Sequence, residues 1–347
     1  MKRSYLVAAL FAVLTLNFNL QAALITIDWV TVGDPGNAAD TTTYGAVADS
    51  FRIMKFEFQN SQYAAFLNAV DPNGTNPNSV YSANMGGKAR GGISFTSDNA
   101  SGSKYAIRPN MGDKPVNYVS WWGAARVANW LQNGQGSGDT ETGAYTLNNA
   151  TGGTAPAVNS GATFYIPTED QWYKAAFYKG GSTNAGYWDY ATQSDSAPTA
   201  VTADATTGIG SAGNTGNFAN FNRTADWGSP SQDGNVTTVG SNGGASAYGA
   251  FDMSGNVQEW TDLTGAADSS RMLRGGDWAT DGLGAFLLSS SNRSLSGASS
   301  SSDRIGFRLA SPAAAPIPEP GTWAAMAIFA GGAAFAGWRR RNSAKVA

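Results

Sequence analysis

The 347-residue chain carries 22 lysines and arginines against 25 aspartates and glutamates, and it has neither cysteine nor histidine. That excludes a disulfide, a thiolate nucleophile, a zinc–thiolate site, haem–histidine ligation and any Ser-His-Asp triad, and it confines metals to hard ions on oxygen, calcium foremost. With 43 glycines, 14% charged residues and 12% aromatics, the composition is that of a loop-rich globular protein with ample core material.

Lys2 and Arg3 precede an apolar run from Tyr5 to Leu16 and then the small residues Ala22 and Ala23. A basic head, a short apolar stretch and small residues read as a secretory signal peptide over 1–23, too short to span a bilayer. From 24 to 310 there is no charge block, heptad or repeat period, so this stretch reads as one domain. Glycine-, serine- and threonine-rich tracts at 133–161 and 180–216 read as insertions within it. Asn60 is expected to cap a helix over Gln62–Val70, with Tyr63, Phe66, Leu67 and Val70 on one face. Ser120 caps a second helix through Leu131, with Ala124, Val127, Ala128 and Leu131 as its stripe. Thr168 caps a third through Phe177, with Glu169 and Asp170 at its positive end. Short strands are expected at Thr163–Ile166 and Gly306–Leu309. Phe66, Trp121, Trp172 and Trp260 are assigned to the core, and Arg274 and Arg308 to structural ion pairs. Few helices, short strands and long loops predict an irregular α+β domain.

The C-terminal part reads as a linker over 311–320 containing Pro318-Glu319-Pro320, then 18 uncharged residues over 321–338, then a basic tail over 339–347 that opens with Arg339-Arg340-Arg341. Eighteen residues make a helix of about 27 Å, and the arginines place its far end on the cytoplasmic side. Between the two ends, Leu24–Pro318 holds 16 basic and 24 acidic residues, a net charge of −8. Such a surface repels nucleic acid and attracts cations. The order Pro-Glu-Pro, transmembrane helix, arginine cluster resembles the PEP-CTERM sorting signal of Gram-negative bacteria. That resemblance implies an exosortase as processing partner and delivery to the cell surface or extracellular matrix; a permanent tail anchor is the alternative.

Five segments, in order, resemble the formylglycine-generating enzyme (sulfatase-modifying factor) family. They are Phe56-Glu57-Phe58-Gln59-Asn60-Ser61-Gln62-Tyr63, Pro115-Val116-Asn117-Tyr118-Val119-Ser120-Trp121 and Tyr165-Ile166-Pro167-Thr168-Glu169-Asp170-Gln171-Trp172. Gly255-Asn256-Val257-Gln258-Glu259-Trp260 follows, and then Leu273-Arg274-Gly275-Gly276-Asp277-Trp278, running on to Arg293 and Gly306-Phe307-Arg308. The resemblance implies a C-type-lectin-like α+β fold with little regular secondary structure. It also implies structural calcium. Asp252, Gly255, Val257 and Glu259 match one family site, two carboxylates and two carbonyls in an eight-residue loop. Asn220, Phe221, Asp233 and Asn235 match a second. Without the resemblance, Asp252 and Glu259 read as caps and surface acids.

The family's oxidase activity depends on two cysteines that bind copper and the substrate thiol. Counting from Gly275-Gly276 to Arg293 without a gap puts Thr280 and Ala285 at those positions. Neither residue ligates Cu(I), which requires soft sulfur, so no copper and no formylglycine generation are expected. The ergothioneine-type relatives need an iron site of histidines, which is absent too. What is left at the cleft is Asp277, Trp278, Thr280, Asp281 and Arg293. Asp277 and Asp281 read either as a carboxylate pair of the kind glycosidases use or as loop acids paired with arginine. Trp278 reads as a stacking platform or as core. The expectation is a non-catalytic, calcium-stabilised binding module whose partner is an exopolysaccharide or a surface protein. The alternatives are an enzyme with different chemistry at Asp277 and Asp281, and a purely architectural matrix protein.

Overall fold

The computed structural model describes residues 24–228, 232–263, 267–280 and 284–313. The signal peptide, the Pro-Glu-Pro motif and the apolar segment at 321–338 lie outside them. Strands β1 (Trp29–Val32) and β2 (Phe51–Met54) lead into helix α1 (Asn60–Val70) and the single turn α2 (Asn84–Gly87). The hairpin β3 (Ile93–Phe95) and β4 (Tyr105–Ile107) follows, then helices α3 (Trp121–Gln132) and α4 (Glu169–Phe177). After the pair β5 (Thr199–Ala200) and β6 (Phe218–Ala219) come β7 (Gln258–Thr261), β8 (Ser270–Arg274), a 3-10 turn at Gly284–Leu288, and β9 (Ser294–Gly297). The last elements among the described residues are β10 (Ile305–Gly306) and β11 (Ala310–Pro312). A four-stranded sheet runs β10-β7-β8-β9 and a three-stranded one β1-β2-β11. In the larger sheet β7 and β8 are antiparallel, with Glu259 opposite Arg274 and Trp260 opposite Leu273. Among the described residues no helix is long and apolar enough to cross a membrane. The described residues up to Ser311 form one compact unit. This is the irregular mixture of small helices and sheets that the composition predicts.

The three helices form where apolar periodicity and caps coincide. In α3, Ser120 takes the cap and accepts from the Gly123 amide at 3.2 Å; in α4, Thr168 accepts from Gln171, whose side chain answers to the Thr168 amide. At α1 the cap shifts by one residue. Asn60 is already helical and fully buried, its amide donating to the carbonyls of Met111, Lys114 and Pro115. Gln59 is the cap instead, extended, with its N–H held by Gln62.

Two expected strands also change. Thr163–Ile166 shrinks to a single bridge between Tyr165 and Ala310, because side chains take the neighbouring amides: Gln132 holds Thr163 N–H and the Tyr145 hydroxyl holds Ile166 N–H. Gly306–Leu309 is a crossing between sheets. Its first residue pairs with β7, while the Phe307 and Leu309 carbonyls accept from Phe58 and Met54.

The main core packs Tyr63, Phe66 and Leu67 of α1 against Trp121, Val127 and Leu131 of α3 and against Trp260 and Phe307. A second cluster gathers Trp172, Tyr173 and Phe177 of α4 with Phe51, Ile53 and Met253. A third, Met111, Trp227, Val236, Val257, Trp278 and Ala279, lies under the candidate site.

Candidate functional site

The loop after β8 leads to Thr280 and Ala285, the two residues that the ungapped count singles out. Asp277 and Thr280 close it on themselves: the Asp277 carboxylate accepts from Ala279 N–H at 2.9 Å, and the Thr280 hydroxyl accepts from Asp277 N–H at 3.2 Å. Thr280 is 3% exposed, so its hydroxyl is spent inside the turn. Ala285 lies half-buried in the 3-10 turn. Asp281 lies outside the described residues, and with it any pairing to Asp277. Burial pushes the Asp277 carboxyl up to about 6, partly countered by the Ala279 amide and by Arg304.

Trp278 is core. It is 1% exposed, donates from Nε1 to the Asp303 carbonyl at 3.1 Å, and has the Arg90 guanidinium over its ring at 4.1 Å. Arg304 and Arg223 stand at 5.7 and 5.9 Å. No face is left for a ligand to stack on. Arg293 belongs to a different cluster. Together with Arg274 it grips Glu169, at 2.6 Å each, and its guanidinium lies over Tyr44 at 4.8 Å. Glu169, expected as a helix-end acid, is therefore the buried hub of two ion pairs. Arg274 is structural, as its sequence context suggests.

The calcium sets sit side by side, joined by Asn256, a residue the sequence reading passed over. Its Oδ1 accepts from Thr237 N–H and from the Asn220 amide, and its Nδ2 donates to Glu57 at 2.7 Å. Gly255 lets the two loops touch: at φ 88°, a Cβ there would come within 2.4 Å of the Asn220 carbonyl oxygen. Glu259 does not fit as a calcium ligand in this arrangement. Arg308 takes both its oxygens at 2.6 Å, and Trp172 Nε1 donates to Oε2 at 2.7 Å. The guanidinium is already the cation there, and Arg308 is the structural ion pair expected of it. Asp252 is buried with its oxygens on Gly240 N–H at 2.5 Å and the Asn242 amide at 2.8 Å. Glu57, Asp252 and Glu259 together face one arginine. The Glu57 carboxyl is accordingly pushed well above the usual range by burial and by its two acidic neighbours. Among the described residues no three carboxylates converge closely enough to hold a metal.

The second set differs. Asn220 is fully buried and its Oδ1 has no donor, while its Nδ2 is spent on the Asn235 carbonyl, Thr237 and Asn256. A buried acceptor without a partner is costly and fits a cation. Asp233 lies at the surface, its side chain 78% exposed and paired with Arg223 at 3.2 Å. The Asn220 Oδ1 is thus suited to a cation, while the Asp233 carboxylate is engaged by Arg223 at the surface. The sequence could have flagged Glu57, a lone acid between two apolar aromatics, Phe56 and Phe58. It gave no sign of the Arg308 clasp, which spans 49 residues.

Among solved structures, CarF is similar at 21% identity over 83% of this chain and 99% of its own, with a TM-score of 0.49. Treponema denticola variable protein 1 is 19% identical over 82% of this chain and 94% of its own, TM-score 0.42. PvdO from Pseudomonas aeruginosa is 18% identical over 82% and 92%, TM-score 0.40. Residues 316–341 match the PEP-CTERM protein-sorting motif, which indicates processing by an exosortase and a surface or extracellular destination. Residues 30–313, most of the chain and all five resembling segments, match the sulfatase-modifying factor enzyme 1-like domain. The chain belongs to that family, and it does so without a single cysteine.

Proposed function

We propose that this protein is a non-catalytic member of the family: a surface-sorted binding module whose loops are stiffened by calcium. The observation that carries the reading is elemental. Thr280 and Ala285 stand where the family's copper ligands belong, and the chain's sulfur is confined to seven methionines. Thr280 is also buried and turned into its own loop, where its hydroxyl accepts from Asp277 N–H. Calcium is proposed at Asn220, Phe221, Asp233 and Asn235, on the strength of the partnerless Asn220 Oδ1.

The test is direct. The secreted protein, titrated with Cu(I) and incubated with a cysteine-containing sulfatase peptide, should bind no copper tightly and form no aldehyde. Aldehyde formation overturns the reading. The second reading is an enzyme of different chemistry at Asp277, whose buried carboxyl holds the Ala279 N–H and is pushed up to about 6 by that burial. A glycan and peptide array separates the cases. Defined hits recovered intact support the module, cleaved hits support the enzyme, and an empty array supports an architectural role.

A further inference from the structure

A cavity of about 700 Å³ is lined among others by Lys88, Arg108, Asn110, Thr206, Trp227 and Asn235. Its volume falls in the range of small-ligand sites. Among the described residues neither Thr280 nor Asp277 lines it, and no carboxylate does.

Its polar groups are donors. Arg108 is held rigidly: one terminal nitrogen donates to the carbonyls of Lys88 and Gly91 at 2.5 and 2.6 Å. Its remaining N–H groups have no acceptor among the described residues. The Lys88 ammonium is exposed and has no ion-pair partner there either. Asn235 is 2% exposed; its Oδ1 is fixed by Val236 N–H at 2.9 Å, which also fixes the amide's orientation. Its Nδ2 is left without an acceptor among the described residues. A donor that faces the cavity with no protein acceptor is available to a ligand acceptor. Two cations without carboxylates, in a domain of net charge −8, call for an anionic one.

We propose that this cavity is the binding site of the module and that its ligand is an acidic saccharide, a carboxylate-bearing segment of an extracellular polysaccharide. The proposal rests on the non-catalytic binding reading above and names its ligand. An oligosaccharide acid supplies what the lining lacks: a carboxylate for Lys88 and Arg108, and ring and hydroxyl oxygens for Asn235. Trp227, Pro109 and Met111, which also line it, provide apolar wall for a sugar face. The sorting motif gives the domain a surface or extracellular destination, where a polymer ligand has access to it.

The experiment is calorimetric titration of the secreted protein with trigalacturonate, with maltotriose and hexaglutamate as comparators. Trigalacturonate should bind, weaken at least tenfold between 50 and 500 mM NaCl, and be matched by neither comparator. Lys88→Glu should lower its affinity at least tenfold without changing the melting temperature, since the ammonium holds nothing in the fold. Asn235→Asp keeps the bond to Val236 and replaces the free donor with a charge; it should abolish binding equally with and without chelator, which separates the cavity from the calcium proposed at the same residue. Trigalacturonate affinity untouched by Lys88→Glu overturns the proposal. So does equal binding of maltotriose, and so does tighter binding of hexaglutamate with the same lysine dependence, which would assign the cavity to acidic protein. Mass analysis of the recovered sugar keeps the two claims separate. Lysine-dependent binding with cleavage overturns the non-catalytic reading yet supports the cavity, and absence of binding overturns the cavity alone.

Discussion

Asp277 shows how burial and sequence position act on a single carboxyl. Its folded value, about 6, lies above the unfolded one of about 4. The folded state therefore holds its proton more tightly, and stability falls as pH rises from about 4 to about 6, with the penalty complete above that. Asp277→Asn keeps an acceptor for Ala279 N–H and removes the charge. It should raise the melting temperature at pH 7.5, and the gain should vanish by pH 4, as measured by calorimetry at the two pH values. Glu259 and Asp233 separate ion pair from calcium site. Glu259→Gln leaves Arg308 buried against half a partner and should cost about 3–5 kcal/mol, equally with and without chelator. Chelation should lower the melting temperature of the unaltered protein, because an ion bound only by the folded state stabilises it. Asp233→Asn should abolish that shift. If instead Glu259→Gln abolishes it and Asp233→Asn does not, the ion sits in the Asp252 loop.

At the scale of elements, stability rests on loop-to-loop closure as much as on helices. Helix α4 is capped by Thr168 and ends in the core cluster of Trp172 and Phe177, so Thr168→Ala should cost about 1 kcal/mol in denaturant titration. Gly255→Ala should cost more, about 1–3 kcal/mol. It demands a positive φ of an alanine and drives its Cβ into the Asn220 carbonyl, so the two loops must part. These elements were unequally legible. Helices α1, α3 and α4 declare themselves through period and caps, since both are local. The strands at 163–166 and 306–309 do not, because their partners were decided by Gln132, Tyr145 and the switch between two sheets. The double pairing of Arg274 and Arg293 on Glu169 joins residues more than a hundred positions apart, and no spacing rule reaches that far.

For the whole molecule, the sorting motif and the missing sulfur make separable predictions. In a host with an exosortase the mature protein should lose its C-terminal segment, and without one it should remain membrane-bound, as intact mass of surface-extracted protein will report. A mature species ending at Ala347 would establish a permanent anchor. Restoring both sulfurs, Thr280→Cys with Ala285→Cys, should bring Cu(I) binding with negligible turnover, because the Thr280 position is folded into its own loop rather than held open for a peptide. Strong oxidation by the double variant would mean that only the sulfurs had been lost.

What the chain's sequence determined by itself was composition-borne or local: no thiol or imidazole chemistry, the C-terminal sorting motif, three helices, and five motifs in family order. Composition needs no geometry, and caps and periodicity act within a few residues of chain. The tertiary structure alone decided what each acid and base does. It buried Trp278 beneath Arg90, moved Arg293 to Glu169, placed Arg308 on Glu259 where a calcium was expected, and left Asn220 Oδ1 without a donor. It also gathered Lys88, Arg108 and Asn235 around one cavity. The physical reason is common to all of these. A charge or amide takes its role from the partner that replaces its lost water, and in this loop-built fold that partner usually comes from a distant part of the chain.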